Sequence, residues 1–424
     1  MKRILLLLLT IWSHLTPAQE YRIVIKGGHI IDPKNNIDGV MDIAINDGRI
    51  VQVARNIDAK RAVQVVNAKG LYVTPGLIDM HTHVFFGTNL DQTYSNGPNA
   101  LPPDAFTFRN GVTTIVDAGC SGWRDFATFK KQTIDRSQTR VLALLNIVGS
   151  GMRGGTYEQN IADMDAKATA DVAKQYPEQV VGVKLAHFNG YDWTPTDRAV
   201  EAGKLANVPV MIDFGGSTPT LPIEELYTRH LRPGDIYTHC FGQLKTREAI
   251  VDVESGTVKP FVREAQKNGI IFDVGYGGIS FAFSQAIPAL KSGFYPNTIS
   301  TDIHTGSMNN AMKDMLNVMS KFLAMGMPLP GVIEASTWNP AKAIKREELG
   351  HLSVGSVADV AILRLHKGKF EVRETGTFGF FDYTGHKIEG KQKLSAEMTI
   401  RNGRIVYDLN GIANPVIVMQ QPQS

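Results

Sequence analysis

A chain of 424 residues with 43% hydrophobic and 20% charged residues has room for one large domain and a smaller one. Its formal charge of +3, with no basic run, gives no electrostatic case for a nucleic-acid partner. Two cysteines, Cys120 and Cys240, are too few for a disulfide scaffold.

The N-terminus reads MKRILLLLLTIWSHLTPAQE. Lys2 and Arg3 precede an apolar stretch from Ile4 to Trp12, and Thr16-Pro17-Ala18 supplies small residues for cleavage. This is the pattern of a secretory signal peptide over residues 1–18, cut after Ala18. The apolar stretch is too short to span a bilayer, and no second apolar segment is long enough for a membrane span. Removal of Lys2 and Arg3 lowers the formal charge from +3 to +1. The expected mature protein is soluble and secreted or periplasmic, with no membrane after cleavage and a small molecule as its partner.

From Glu20 to about Val73, the segments YRIVIKGGHIIDP, MDIAINDGRIVQV and AVQVVNAKGLYV read as short strands broken by Gly, Asn and Asp. The C-terminal part has the same texture in VGSVADVAILRL and AEMTIRNGRIVYD. AINDGRIV and TIRNGRIV each place a hairpin pair, Asp47-Gly48 or Asn402-Gly403, between apolar runs. Residues 19–73 and 351–424 are therefore expected to build one small β-sandwich from both chain ends. Between them, residues 74–350 carry eight short β-branched runs, from GLID near 77 to TISTDIH near 301. Helix-like stretches such as TPTDRAVEAGKLA, with Thr196-Asp197 in cap position, and FVREAQKNG separate several of them. Strand and helix alternating eight times is the pattern of a (β/α)8 TIM barrel, here inserted into the sandwich.

Active sites of such barrels lie at the C-terminal ends of the strands. Polar residues sit there repeatedly: His81 and His83 after PGLIDM, then Lys184, Asp213, His239 and Asp302. Histidines two apart on a strand face the same side, where two imidazoles can share one divalent ion. Burying six polar side chains at one rim is costly unless they bind something.

At this point the sequence resembles the amidohydrolase superfamily of metal-dependent hydrolases, in its dihydroorotase-like and deacetylase-like branch. VTPGLIDMHTH, GVTTIVDAG, VVGVKLAHF, LRPGDIYTHCF, GIIFDVGYGG, TISTDIH, STWNPAKAI and GHLSVGSVADVAIL carry the likeness across nearly the whole mature chain. It implies that His81, His83 and Asp302 bind one ion and His239 a second. It also implies that Lys184 bridges them as a CO2-derived carbamate, since a free ammonium cannot ligate. Zinc is the expected metal, as one or two ions, with manganese an alternative. Asp302 would also move the proton from water to leaving group, a role typically worth about 10² to 10⁴-fold. Barrels of this kind commonly pair, so a homo-oligomer is expected.

Two positions depart from the pattern. Asp213 stands where the fifth strand usually ends in a histidine; either this carboxylate or His187 completes the metal set, the latter only if the chain turns after the fourth strand. Tyr276 stands where relatives present a histidine to substrate, and is expected to hydrogen-bond the substrate or cover it. Arg153 or Arg124, on loops near the rim, could anchor a substrate carboxylate. His304 is a candidate to orient Asp302, or a helix-start residue. His29, His230, His351, His366 and His386 read as surface residues, and Cys120 and Cys240 as separate free thiols. The functional expectation is hydrolysis of an amide or ester carbonyl, as in deacetylation. A cyclic-amide hydrolase is the alternative, and a metal-free binding protein on the same fold a more remote one.

Overall fold

The computed structural model describes residues 19–87, 99–213, 216–252, 254–368 and 376–416, so the expected signal peptide lies outside the described residues. In chain order, the N-terminal strands are β1 (Tyr21–Asp32), β2 (Ile37–Asn46), β3 (Arg49–Ala54), β4 (Ala62–Asn67) and β5 (Tyr72–Pro75). The barrel strands follow as β6 (Leu77–Thr82), β7 (Val112–Gly122), β8 (Arg140–Asn146), β9 (Val180–Leu185), β10 (Val210–Ile212) and β11 (Ile236–Tyr237). A small hairpin of β12 (Val251–Asp252) and β13 (Thr257–Val258) precedes β14 (Ile271–Phe272). The chain closes with β15 (Val360–Lys367), β16 (Phe378–Phe381), β17 (Lys387–Gly390), β18 (Gln392–Arg401), β19 (Arg404–Asp408) and β20 (Ala413–Pro415).

The two chain ends share one nine-stranded sheet ordered β19-β18-β15-β5-β1-β2-β3, with β4 joining β1 to β20. An irregularity between Ile25 and Gly28 divides β1, whose first half pairs with β4 and second half with β5. That bend lets the sheet enclose an apolar core including Ile23, Ile43, Val73, Val360 and Met398. The two hairpin pairs behave as their residue types dictate. Asp47-Gly48 and Asn402-Gly403 all take positive φ, and the turns abut. A Cβ on Gly48 would lie 2.8 Å from Asn402 Oδ1.

Residues 77 onward form the second sheet, wholly parallel, ordered β14-β11-β10-β9-β8-β7-β6. Seven strands are regular, and the expected eighth, around 298–303, closes the ring through the single bridges Thr82↔Ile303 and Asp273↔Thr298. Ile78, Met80, Val116, Leu142, Leu144, Met211 and Ile236 share one apolar cluster with Ala341, Ile344 and Leu349. A larger apolar layer packs the sheet against its helices. The crossover between the sheets falls at Gly76, where a Cβ would lie 2.2 Å from Thr113 Oγ1; only glycine allows that approach.

Two local expectations are corrected. The stretch TPTDRAVEAGKLA is helical over Thr194–Ala206, but Thr196-Asp197 lie inside its first turn rather than at the cap; the N-cap is Trp193, and Asp192 Oδ1 accepts from Thr194 N (2.9 Å). His351 is buried (7% exposed) rather than at the surface, its Nε2 3.1 Å from Glu347 O and its ring edge-on to Trp338. Cys120 and Cys240 are both buried, and no disulfide joins them. No helix among the described residues is long and apolar enough to cross a membrane.

Candidate metal centre

Four of the barrel strands, β6, β9, β10 and β11, have a buried polar residue near or just past their ends. His81 sits near the end of β6, His83 just past it, Lys184 near the end of β9, Asp213 just past β10 and His239 just past β11. All five are buried, as is Asp302 on the closing segment. The register of β6 against β7 shifts between Asp79 and Thr82, an interval that contains His81. His187, His239 and Asp302 have φ of +53°, +56° and +51°, a left-handed conformation uncommon for non-glycine residues, and here it falls on three residues of one cluster.

The ligand atoms converge. Among the described residues, His81, His239 and Asp302 form a set whose donor atoms all lie within 4.8 Å of one another. Asp302 Oδ1 is 2.8 Å from His83 Nε2 and 3.6 Å from His81 Nε2. Lys184 Nζ lies 3.4 Å from His81 Nε2 and 3.6 Å from Met211 Sδ. Asp213 Oδ2 is 3.5 Å from His239 Nε2 and 3.4 Å from His187 Nε2.

Outer groups fix which ring nitrogen faces inward. His81 Nδ1 is 3.0 Å from Thr238 Oγ1, which donates to Asp273 Oδ2 (2.7 Å). His239 Nδ1 donates to Gly275 O, and His83 Nδ1 is 3.2 Å from Cys120 Sγ. His187 Nδ1 is 3.1 Å from Glu158 Oε1. Holding Nδ1 in this way leaves Nε2 free for a ligand, as outer partners of metal-bound histidines do.

The electrostatics match. Burial, then the nearby Lys184, pushes the His81 imidazole down to about 3, so it keeps its lone pair at any ordinary pH. Burial opposes ionisation of Asp302, yet His81 and His83 hold its carboxyl well below the usual range. Burial lowers Lys184 against the electrostatic pull of Asp213 and Asp302. Asp213 is likewise opposed by burial and held low by His239 and Arg247. Three imidazoles, His81, His83 and His239, and two carboxylates held in the ionised form, Asp302 and Asp213, make a donor set that fits divalent ions.

Tyr276 is corrected. Its side chain is fully buried, stacked on Phe281 at 4.3 Å, and its hydroxyl donates to Phe381 O (2.8 Å) while accepting from Lys321 Nζ (2.8 Å). It therefore does not face a substrate. Its two glycine neighbours, both at positive φ beyond the end of β14, abut the centre instead: a Cβ would lie 2.8 Å from His239 Nδ1 on Gly275 and 2.4 Å from Asp302 Oδ2 on Gly277. Arg153 lies over the Tyr157 ring at 4.0 Å, and Arg124 pairs with Asp163. His304 caps the short helix Thr305–Met308, with its ring 6.2 Å from that of His83. Sequence reasoning missed Asp273, Asp79, Glu158 and Arg247. Asp273 had a signal, a carboxylate inside the apolar run IIFDV, like that of Asp302. Arg247, on a polar loop, had none.

Two models of the amidohydrolase family match residues 279–406 and 64–128. A deacetylase of Brucella anthropi is 33% identical over 347 residues, covering 80% of this chain and 83% of its own. The chain belongs to the amidohydrolase family. A deacetylase of Enterococcus faecalis is 28% identical over 92% of this chain and 100% of its own. A solved adenine deaminase superposes with a TM-score of 0.80 at 28% identity, covering 92% of this chain and 100% of its own. A solved dihydroorotase gives 0.77 at 26%, covering 91% and 99%. This amidohydrolase is thus an enzyme that hydrolyses carbon–nitrogen bonds on a metal-dependent barrel.

Proposed function

We propose that this amidohydrolase removes an acyl group from a small molecule, in the manner its deacetylase relatives are named for, cleaving an amide or a related ester carbonyl. The observation that carries the reading is the convergence of His81, His239 and Asp302 at one buried point of the barrel mouth. His81, His83 and Asp302 would hold one ion, and His239 with Asp213 a second; zinc is the first choice and manganese the alternative. Lys184 would join the two sites after its amine adds to CO2, losing a proton to give a carbamate. Burial favours the unprotonated amine that this addition needs, and Lys184 makes no ion pair among the described residues.

A divalent ion in such a site polarises a carbonyl and lowers the pKa of a water toward about 7. The remaining work falls to side chains. Asp302, ionised at neutral pH and held by His83, takes the proton from the attacking water and returns it to the leaving nitrogen or oxygen. Thr238 and the Gly275 carbonyl keep the His81 and His239 rings from turning. Arg153, beyond β8, is the candidate anchor for a substrate carboxylate. A cyclic amide is the second reading, supported by the dihydroorotase likeness over 91% of the chain. We propose the periplasm or exterior as its location, from the N-terminal pattern, and a homo-oligomer as its state.

The test is metal content per chain, joined to a screen of N-acyl, O-acyl and cyclic amide compounds. One or two ions and acyl release that Asp302→Asn lowers about 10² to 10⁴-fold are expected. A chain that takes up no zinc or manganese, or turnover untouched by Asp302→Asn, refutes the reading.

A further inference from the structure

The fifth strand ends in a carboxylate where a neutral imidazole would need no counter-ion, and the structure supplies one. Arg247, on the loop that follows His239, is buried, with both side chains of the Arg247–Asp213 pair no more than 6% exposed. Its Nη2 donates to Asp213 Oδ1. Its Nε and Nη1 have no hydrogen-bond partner among the described residues. With Oδ1 occupied by the guanidinium, the other oxygen, Oδ2, is the one presented to His239 Nε2 at 3.5 Å. His187, fixed by the buried Glu158, approaches the same oxygen at 3.4 Å.

We propose that Asp213 and Arg247 act as one net-neutral unit in place of the missing imidazole. Asp213 presents a single oxygen to the second metal position, and Arg247 is the positioning residue that makes a buried carboxylate tolerable there. The unit conserves the charge of the centre while exchanging a nitrogen donor for a harder oxygen donor. Oxygen donors suit manganese better than nitrogen donors do, so the exchange shifts the second position toward manganese relative to zinc. His187 is the lateral support of Oδ2 and falls outside the convergent set of His81, His239 and Asp302. The metal half of this inference rests on the metal-centre reading above; the pairing half stands on the ion pair alone.

The pairing is tested on metal-stripped full-length protein by the thermal midpoints of wild type, Asp213→His, Arg247→Met and the double variant. Asp213→His leaves the buried guanidinium without its carboxylate, and Arg247→Met leaves the buried carboxylate facing only the His239 and His187 imidazoles; a buried charge without its ion-pair partner is strongly destabilising. Both singles should therefore melt below the double variant, and a double that folds where a single does not is the same result. Additive midpoints, with the double the least stable, overturn the pairing. The metal half is read by equilibrating each protein with zinc and manganese together and counting bound ions. The double variant should hold a higher zinc-to-manganese ratio than wild type; equal ratios overturn the donor-exchange claim. A wild type that binds neither ion refutes the hydrolase reading and the metal half together, while the midpoints still decide the pairing.

Discussion

Gly275 is the position where the fold and the centre depend on each other most directly. Its φ is +45°, and a Cβ there would lie 2.4 Å from Thr238 Oγ1, 2.8 Å from His239 Nδ1 and 3.0 Å from His81 Nδ1. Gly275→Ala would therefore pay for a left-handed alanine, about 1–2 kcal/mol, and for overpacking, about 1–3 kcal/mol. Together these give a loss of about 2–5 kcal/mol of folding stability. The clash also pushes on the two atoms that hold the rings, so metal affinity should fall about 10- to 100-fold. Urea unfolding of the metal-stripped protein reads the first effect, and chelator competition reads the second. Gly278→Ala is the control, since its Cβ would meet nothing within 4 Å and its φ is unremarkable. If Gly275→Ala unfolds with the control and keeps its metal affinity, the rings are not held as described.

Three further outcomes follow from the same contacts. Tyr276→Phe removes a buried hydroxyl from Phe381 O and Lys321 Nζ, and should cost about 1–3 kcal/mol of stability while leaving KM unchanged; a raised KM with intact stability would restore a substrate role. Lys184→Ala should release the metal and stop turnover, with both partly restored by added acetate or propionate, whose carboxylate can take the carbamate's place. Failure of rescue, with the variant folded, would argue against the bridge. Burial pushes Lys321 from 10.5 down to about 7, so above pH 7 the folded chain holds it uncharged while the unfolded chain keeps its proton. Wild-type stability then rises with pH across that window, and Lys321→Met should remove the rise, at most about 5 kcal/mol, in urea titrations at about pH 7 and about pH 10.

The fold was legible because its signals are local. Alternating runs around Asp47-Gly48 and Asn402-Gly403 specify hairpins, and β-branched runs spaced by helices specify a parallel barrel. The metal-ligand candidates were legible for a related reason. A polar residue at the end of an apolar strand is expensive to bury, so His81, His83, Lys184, His239 and Asp302 stand out in a single chain. Tyr276 was misread because it stands where relatives present a histidine to substrate; only the tertiary structure, with Gly275 and Gly277 at positive φ beyond the end of β14, places its ring in the core and the two glycines against the centre.

The sequence by itself determined the barrel with its two-ended β domain, and a ring of polar residues at the strand ends, since hydrophobic period and turn chemistry act over a few residues. Tertiary structure alone decided how those residues are held. Asp213 lies 34 residues from Arg247, His187 lies 29 from Glu158, and His81 lies 157 from Thr238. Contacts of that separation leave no periodic trace, because closure of the barrel makes them and no local preference encodes it.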